Sequence, residues 1–126
     1  MEKSVEELLK SAEENLVNRT AIDILKALVL LYGSAWETDL KDALMGLWAV
    51  RNMGLMEIGE AESALPKAEK LLVEKGLIKV ETRYKSDLGS RKPIEEKFYS
   101  TDHLFTLLRI FGGDIELDKL RFQAQQ

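Results

Sequence analysis

The stretch that decides the fold is SALPKAEKLLVEKGLI (residues 63–78), followed directly by KVETRYK (residues 79–85). Apolar residues recur at the spacing of one helix face in the first part and alternate with charged residues in the second. They are Leu65, Ala68 and Leu72, ending at Gly76, and then Ile78, Val80, Thr82 and Tyr84. Ser63 is expected to cap this helix, with Pro66 in its first turn, where the missing N–H has no cost. The sequence therefore predicts a helix that leads directly into a strand.

A second strand follows the first after a turn-rich segment. The segment SDLGSRKP (residues 86–93) contains the Ser, Asp, Gly and Pro that favour turns, and residues 95–100 return to a strand pattern. The two strands are expected to form a long hairpin. Four positive charges lie at or near its tip: Arg83, Lys85, Arg91 and Lys92.

Around this stretch the pattern is helical. The predicted helices span residues 1–18, 20–32, 37–53 and 63–75, and two more lie within residues 101–126. Thr20 is expected to cap the second helix, Gly33 and Gly54 to end the second and third, and Asp114 to cap the last. Residues 55–62 are interpreted as a connector. The expected fold is one domain of 126 residues, mainly α with a small β-hairpin.

Composition excludes several classes of function. The chain has no cysteine and a single histidine, His103, so disulfides, thiolate metal sites and a conventional hydrolase triad lack their residues. Because no pair of groups suggests acid and base roles, we expect no enzyme, metal or cofactor. No apolar run is long enough to span a bilayer, and the acidic N-terminus lacks the basic region of a signal peptide, so the expected location is cytoplasmic with no membrane partner.

Charge is segregated along the chain. Residues 63–98 carry nine Lys or Arg and six acids, whereas the remainder carries nine basic and sixteen acidic residues, within a total net charge of −4. A locally basic stretch on an acidic body is what steered docking onto a polyanion requires.

The order of the predicted elements offers one helix to the major groove of DNA while a hairpin flanks it on the backbone. Residues 63–78, with their EKGLI ending, and the charged hairpin that closes with KFYSTD (residues 97–102) resemble winged helix-turn-helix regulators of the PadR and MarR type. The resemblance covers roughly residues 20–111. It implies a winged-helix core over residues 20–100, with additional N- and C-terminal helices at residues 1–18 and 101–126.

The resemblance further implies sequence-specific duplex DNA binding by a transcriptional regulator, with residues 63–75 as the recognition helix and residues 83–97 as a wing on the backbone. The candidate DNA-binding residues are Ser63, Lys67, Lys70, Arg83, Lys85, Arg91 and Lys92. Two alternatives stay open for these cations: solvated helix surface, and edge-strand charges that discourage strand pairing. A third alternative, favoured by the acidic body, is a winged-helix module that binds another protein and no DNA.

Two further partners are expected. The N- and C-terminal helices carry more apolar surface than the small winged-helix core can cover. This excess predicts a homodimer formed through residues 101–126. Tyr32, Trp36 and Trp48 either pack in the core, as their helical spacing suggests, or line a pocket for a small aromatic effector.

Overall fold

The computed structural model describes residues 2–86, 89 and 92–124, with the backbone alone for residues 123–124. Within them the chain forms, in order, α1 (Glu2–Ser11), α2 (Leu16–Leu30), β1 (Ser34–Trp36), α3 (Glu37–Val50), α4 (Leu55–Glu74), β2 (Lys79–Lys85), β3 (Ile94–Ser100), α5 (Leu104–Phe111) and α6 (Ile115–Ala124). The expectation of a mainly helical chain with a small sheet is confirmed. Among the described residues, no helix is both long and apolar enough to cross a lipid bilayer.

The centre of the core is α2, which contacts α1 and α3 to α6. Its apolar side chains are buried on more than one side because helices pack around it in several directions. Those with no more than 1% exposure are Ala21, Ile24, Leu25, Ala27, Leu28 and Val29. The sequence pattern predicted this central role correctly.

The break between the first two helices lies earlier than predicted, since α1 ends at Ser11 and α2 begins at Leu16. A turn separates α1 from α2, and the Asn15 side chain caps α2 by accepting a hydrogen bond from the Asn18 N–H at 3.2 Å. The predicted cap, Thr20, therefore lies inside α2. It is buried, and within the described residues its hydroxyl has no hydrogen-bond partner.

The largest correction concerns the segment before Ser63. Asn52, with φ of 61°, and not Gly54, adopts the left-handed conformation after α3. Gly54 instead precedes the first turn of α4, where its carbonyl accepts from the Ile58 N–H at 3.0 Å. Residues 55–62, predicted as a connector, are thus the first half of a 20-residue helix.

This longer helix also changes the roles of Ser63 and Pro66. The Ser63 hydroxyl donates to the Gly59 carbonyl at 2.9 Å, a helix-interior contact, so Ser63 is not a cap. Pro66 lies inside α4 on its exposed side, so its ring, which removes one backbone hydrogen bond of the helix, does not face the core. The buried stripe of α4 extends upstream through Ala61 and Ile58.

The hairpin is present as predicted, and a third strand joins it. β2 and β3 pair antiparallel from Lys79 with Ser100 to Lys85 with Ile94. β1 was not predicted, and it pairs with the other edge of β3, which gives the sheet order β1-β3-β2. Of the residues predicted to face the core, Ile78 is buried and Val80 is half-buried. Thr82 and Tyr84 are exposed because the far end of the hairpin extends beyond the helices.

The C-terminal helices pack back onto the head. The Asp114 side chain accepts from the Leu117 N–H at 3.1 Å, so the predicted cap of α6 is confirmed. Close contact of α6 with α3 depends on Gly46, since a Cβ there would lie 3.2 Å from the Leu120 side chain. Leu107, Phe111 and Leu117 are buried in the common core.

Candidate functional site

The second half of α4 presents two predicted lysines to solvent. Ala64, Ala68 and Leu72 face the core, and Lys67 and Lys70 lie on the exposed side. Across the described part of the chain, neither lysine forms an ion pair or a hydrogen bond. Both ammonium groups are therefore available to an external anion.

The first half of α4 has a different chemistry. Leu55 and Met56, adjacent at the start of the helix, are 90% and 83% exposed. Three exposed glutamates follow them: Glu57, Glu60 and Glu62. The exposed surface of this helix is thus apolar and acidic in its first half, whereas its second half carries Lys67 and Lys70 together with Glu74.

The two predicted cations near the outer end of β2 are held by other groups. Arg83 donates to Glu81 at 3.0 Å, and its guanidinium lies 4.1 Å from the centre of the Phe98 ring. Lys85 pairs with Glu96 at 3.0 Å and lies 5.3 Å from the centre of the Trp36 ring. Each charge is partly neutralised, and each side chain is fixed against an aromatic ring.

The hairpin tip contains the last two candidates. Arg91 lies outside the described residues. Lys92 is exposed and has a partner of its own. The structure therefore describes six of the seven candidates, and of these only Lys67 and Lys70 are charged groups without a partner in the described residues.

A buried contact joins α4 to the hairpin. The Tyr99 hydroxyl donates to one oxygen of Glu69, and Lys97 lies 3.5 Å from the other oxygen of that carboxylate. Burial of Tyr99 raises the pKa of its phenol, and hydrogen bonding to Glu69 and the charge of Glu37 raise it further. The hydroxyl is therefore a permanent donor, and the sequence alternation had placed Tyr99 only as a strand residue.

Glu96 links the hairpin to the start of α3. Its carboxylate accepts from the Thr38 N–H at 3.1 Å and the Thr38 hydroxyl at 3.0 Å. The hydrogen bond from the Thr38 N–H lowers the pKa of Glu96, and the hydrogen bond from Lys85 lowers it further. The β2–β3 hairpin is thus held against the helices by Tyr99 on one side and by Glu96 on the other.

A buried charge cluster, which the sequence did not reveal, fixes α6 to the head. Asp23, 2% exposed, accepts from both terminal nitrogens of Arg51 at 3.1 and 2.8 Å and from the Trp48 indole N–H at 3.0 Å. Arg51 also donates to Glu116 at 2.8 and 2.9 Å. Lys26 completes the cluster by pairing with Glu116 and with the α6 cap.

These contacts shift the ionisation of the cluster. Hydrogen bonds from Arg51 and then Lys26 lower the pKa of Glu116 to about 2, against the opposing effect of burial. Burial alone would lower the pKa of Lys26, but its hydrogen bonds raise it. Asp23 would have been recognisable from sequence only as an acid inside an otherwise apolar helix.

The three aromatic residues of the predicted effector pocket do not lie together in the structure. Trp48 is buried in the core beside Asp23, so the core alternative holds for it. Tyr32 and Trp36 line an open cleft of about 760 Å³ together with Phe98. Phe98 meets Trp36 edge to face, with 5.2 Å between ring centres.

Metal sites and relatives give no further guide to the chemistry. In residues 2–86, 89 and 92–124, no group of three His, Asp or Glu side chains could hold a metal ion. The His103 ring lies 3.1 Å from the Gly76 carbonyl, a contact between the start of α5 and the turn after α4. Comparison with protein-family models, with curated proteins and with solved structures gives no match.

Proposed function

We propose that this chain is a winged-helix protein that binds duplex DNA and regulates transcription. The observation that carries the proposal is the chain order α2-β1-α3-α4-β2-β3, with the sheet order β1-β3-β2. One face of α4 and the outer part of the hairpin are exposed, and Glu69 of α4 contacts Tyr99 and Lys97 of the hairpin. This is the arrangement in which a helix enters the major groove and a hairpin contacts the backbone.

The contact assigned to α4 is its second half. Lys67 and Lys70 supply unpaired positive charge, whereas Glu57, Glu60 and Glu62 in the first half would repel phosphates. The proposed recognition segment is therefore the part of the helix that begins near Ser63, with the upstream extension outside the groove. The basic hairpin follows the backbone, where charge positions the protein without reading sequence.

A homodimer is part of the proposal. Large apolar side chains are exposed on both C-terminal helices, with Phe105 87% and Phe122 64% exposed. On α6, Ile115 and Phe122 border a groove that also carries Asp118 and Lys119. A two-fold axis would bury these apolar groups and bring the acid of one copy to the base of the other.

Salt dependence tests DNA binding. We expect a fluorescently labelled duplex to be retained at low salt, with the logarithm of the affinity falling linearly as the logarithm of the salt concentration rises. Replacing Lys67 and Lys70 together by Gln should weaken binding and lower that slope, since the change removes two positive charges from the contact with DNA. Absence of duplex binding at low salt would refute the proposal.

The matched control for this variant is Lys3→Gln with Lys10→Gln, which removes two exposed lysines from α1. This control should keep the slope of the parent protein. Selection from a mixture of duplexes should show altered sequence preference for the α4 variant alone. An equal loss of affinity in both variants would mean that only net charge matters and that the α4 assignment is wrong.

A second candidate function is docking on a protein without DNA binding. The observation that favours it is the exposed pair Leu55 and Met56 beside the three glutamates of α4, together with hairpin cations already paired to acids. A photo-crosslinking residue at position 56 distinguishes the candidates. One stoichiometric protein adduct with no duplex retention supports docking, and duplex retention without an adduct supports DNA binding.

A further inference from the structure

The cleft beside Trp36 is open, aromatic and acidic at the same time. Its volume of about 760 Å³ lies in the range of small-molecule sites, and its walls come from the end of α2, from β1, α3, β3 and α6. The apolar lining includes Tyr32, Trp36, Phe98 and Leu120. Gly46 on α3 also borders the cleft, and it lets Leu120 of α6 approach.

Two carboxylates set the charge of this cleft. Asp39 and Asp42 project from the first half of α3, both are exposed, and neither has an ion-pair partner in the described residues. The one basic residue of the lining, Arg121, already lies 4.0 Å from Asp118. The cleft therefore has unbalanced negative charge beside aromatic walls.

The nearby cations do not cancel that charge. Lys85 contacts the Trp36 ring and Arg83 contacts the Phe98 ring, but each is paired with its own carboxylate, Glu96 and Glu81 respectively. The Lys85 contact also indicates that the indole of Trp36 attracts positive charge. Within the described residues, the two carboxylates of α3 are therefore the charges of the cleft that have no partner.

We propose that this cleft is a binding site for an amphipathic organic cation, a molecule with an apolar aromatic body and one fixed positive charge. The apolar body packs against Trp36 and Leu120, and the charge lies at the mouth beside Asp39 and Asp42. A neutral molecule of the same shape gains the apolar contacts and loses the electrostatic ones. This site is independent of DNA binding, since the α4 lysines do not line it.

A pair of probes with nearly the same shape tests the charge requirement. Methyltriphenylphosphonium is a permanent cation, and triphenylphosphine oxide is its neutral counterpart. Titration calorimetry without DNA should show saturable binding of the cation, at least about fivefold tighter than the neutral probe. No saturable binding of the cation, or equal affinity for both probes, would overturn the proposal.

Variants locate the binding site. Asp39→Asn with Asp42→Asn should weaken cation binding about tenfold and leave the weak binding of the neutral probe unchanged. Both side chains are exposed, so this variant should fold. The control Glu13→Gln with Glu14→Gln removes the same charge from the exposed turn after α1 and should bind like the parent. Equal affinities for the two double variants would refute the site, as would unchanged binding after Trp36→Ala in a protein that keeps its helical circular dichroism.

Discussion

The Tyr99 hydroxyl on β3 donates a hydrogen bond to the Glu69 carboxylate on α4, and this contact joins the hairpin to the long helix. The same hydroxyl lies 3.5 Å from Glu37 at the start of α3. Three elements around the proposed DNA-binding surface therefore meet at one buried phenol. Lys97 is the other described group that pairs with the Glu69 carboxylate.

Tyr99→Phe should lower the free energy of unfolding by about 1 to 2 kcal/mol, because it removes a buried hydrogen bond to a charged acceptor. Urea unfolding followed by circular dichroism measures the change. Tyr84→Phe removes the same atom from an exposed ring on β2 and should change the stability by less than about 0.5 kcal/mol. Equal effects of the two variants would show that the Tyr99 contact is not stabilising.

Stability should depend on pH through Glu116. Its pKa is about 2 in the folded protein, below the ordinary value of 4.5, so the folded state holds the ionised form more strongly than the unfolded state does. The resulting stabilisation is present above pH 4.5 and is lost as the pH falls towards 2. After allowance for solvent screening it amounts to about 1 to 2 kcal/mol.

Glu116→Gln isolates this effect. At neutral pH the variant should be less stable than the parent by that amount, and the two unfolding curves should converge as the pH is lowered through the window. Glu6→Gln, on the exposed side of α1, is the control and should follow the parent at every pH. A constant difference between parent and Glu116→Gln at all pH values would contradict the linkage.

Much of the fold follows from patterns that a single element contains. The alternation from Ile78 to Tyr84 and the turn residues after it predict the hairpin because a half-buried strand has a period of two. The apolar residues of α2 predict a central helix for a similar reason. Lys67 and Lys70 were placed correctly on an exposed face, since three- and four-residue spacing determines the faces of a helix even when its start is wrong.

What the patterns missed depends on tertiary contacts. β1 has only three residues, too few to show a period, and it exists because β3 offers it an edge. The start of α4 was misplaced because Ser63 and Pro66 both favour a helix start, while the burial of Ile58 and Ala61 against the core outweighs that preference. The Asp23 cluster joins residues far apart in the chain and has no local signature.

Two glycines test the corrected boundaries. Gly59→Ala should stabilise the protein by up to about 1 kcal/mol, because Gly59 lies inside α4 and a Cβ there meets nothing within 4 Å. Gly33→Ala should destabilise it by about 1 to 2 kcal/mol, because Gly33 has φ of 97° and its Cβ would lie 3.3 Å from Leu104. Thermal unfolding measures both changes. A Gly59→Ala variant that is no more stable than the parent would favour a connector at residues 55–62.

Two pairs of substitutions test which exposed apolar surface of this chain forms the proposed homodimer. Phe105→Ser with Phe122→Ser should convert a dimer into a monomer in light scattering, because each phenyl ring that leaves a buried contact removes about 2 kcal/mol of apolar stabilisation. Leu55→Ser with Met56→Ser removes a comparable exposed apolar surface from α4 and should leave the dimer intact. If the α4 variant dissociates the dimer instead, the second copy binds at the start of α4, and the recognition segment beside it would be covered by protein and unable to reach a DNA groove.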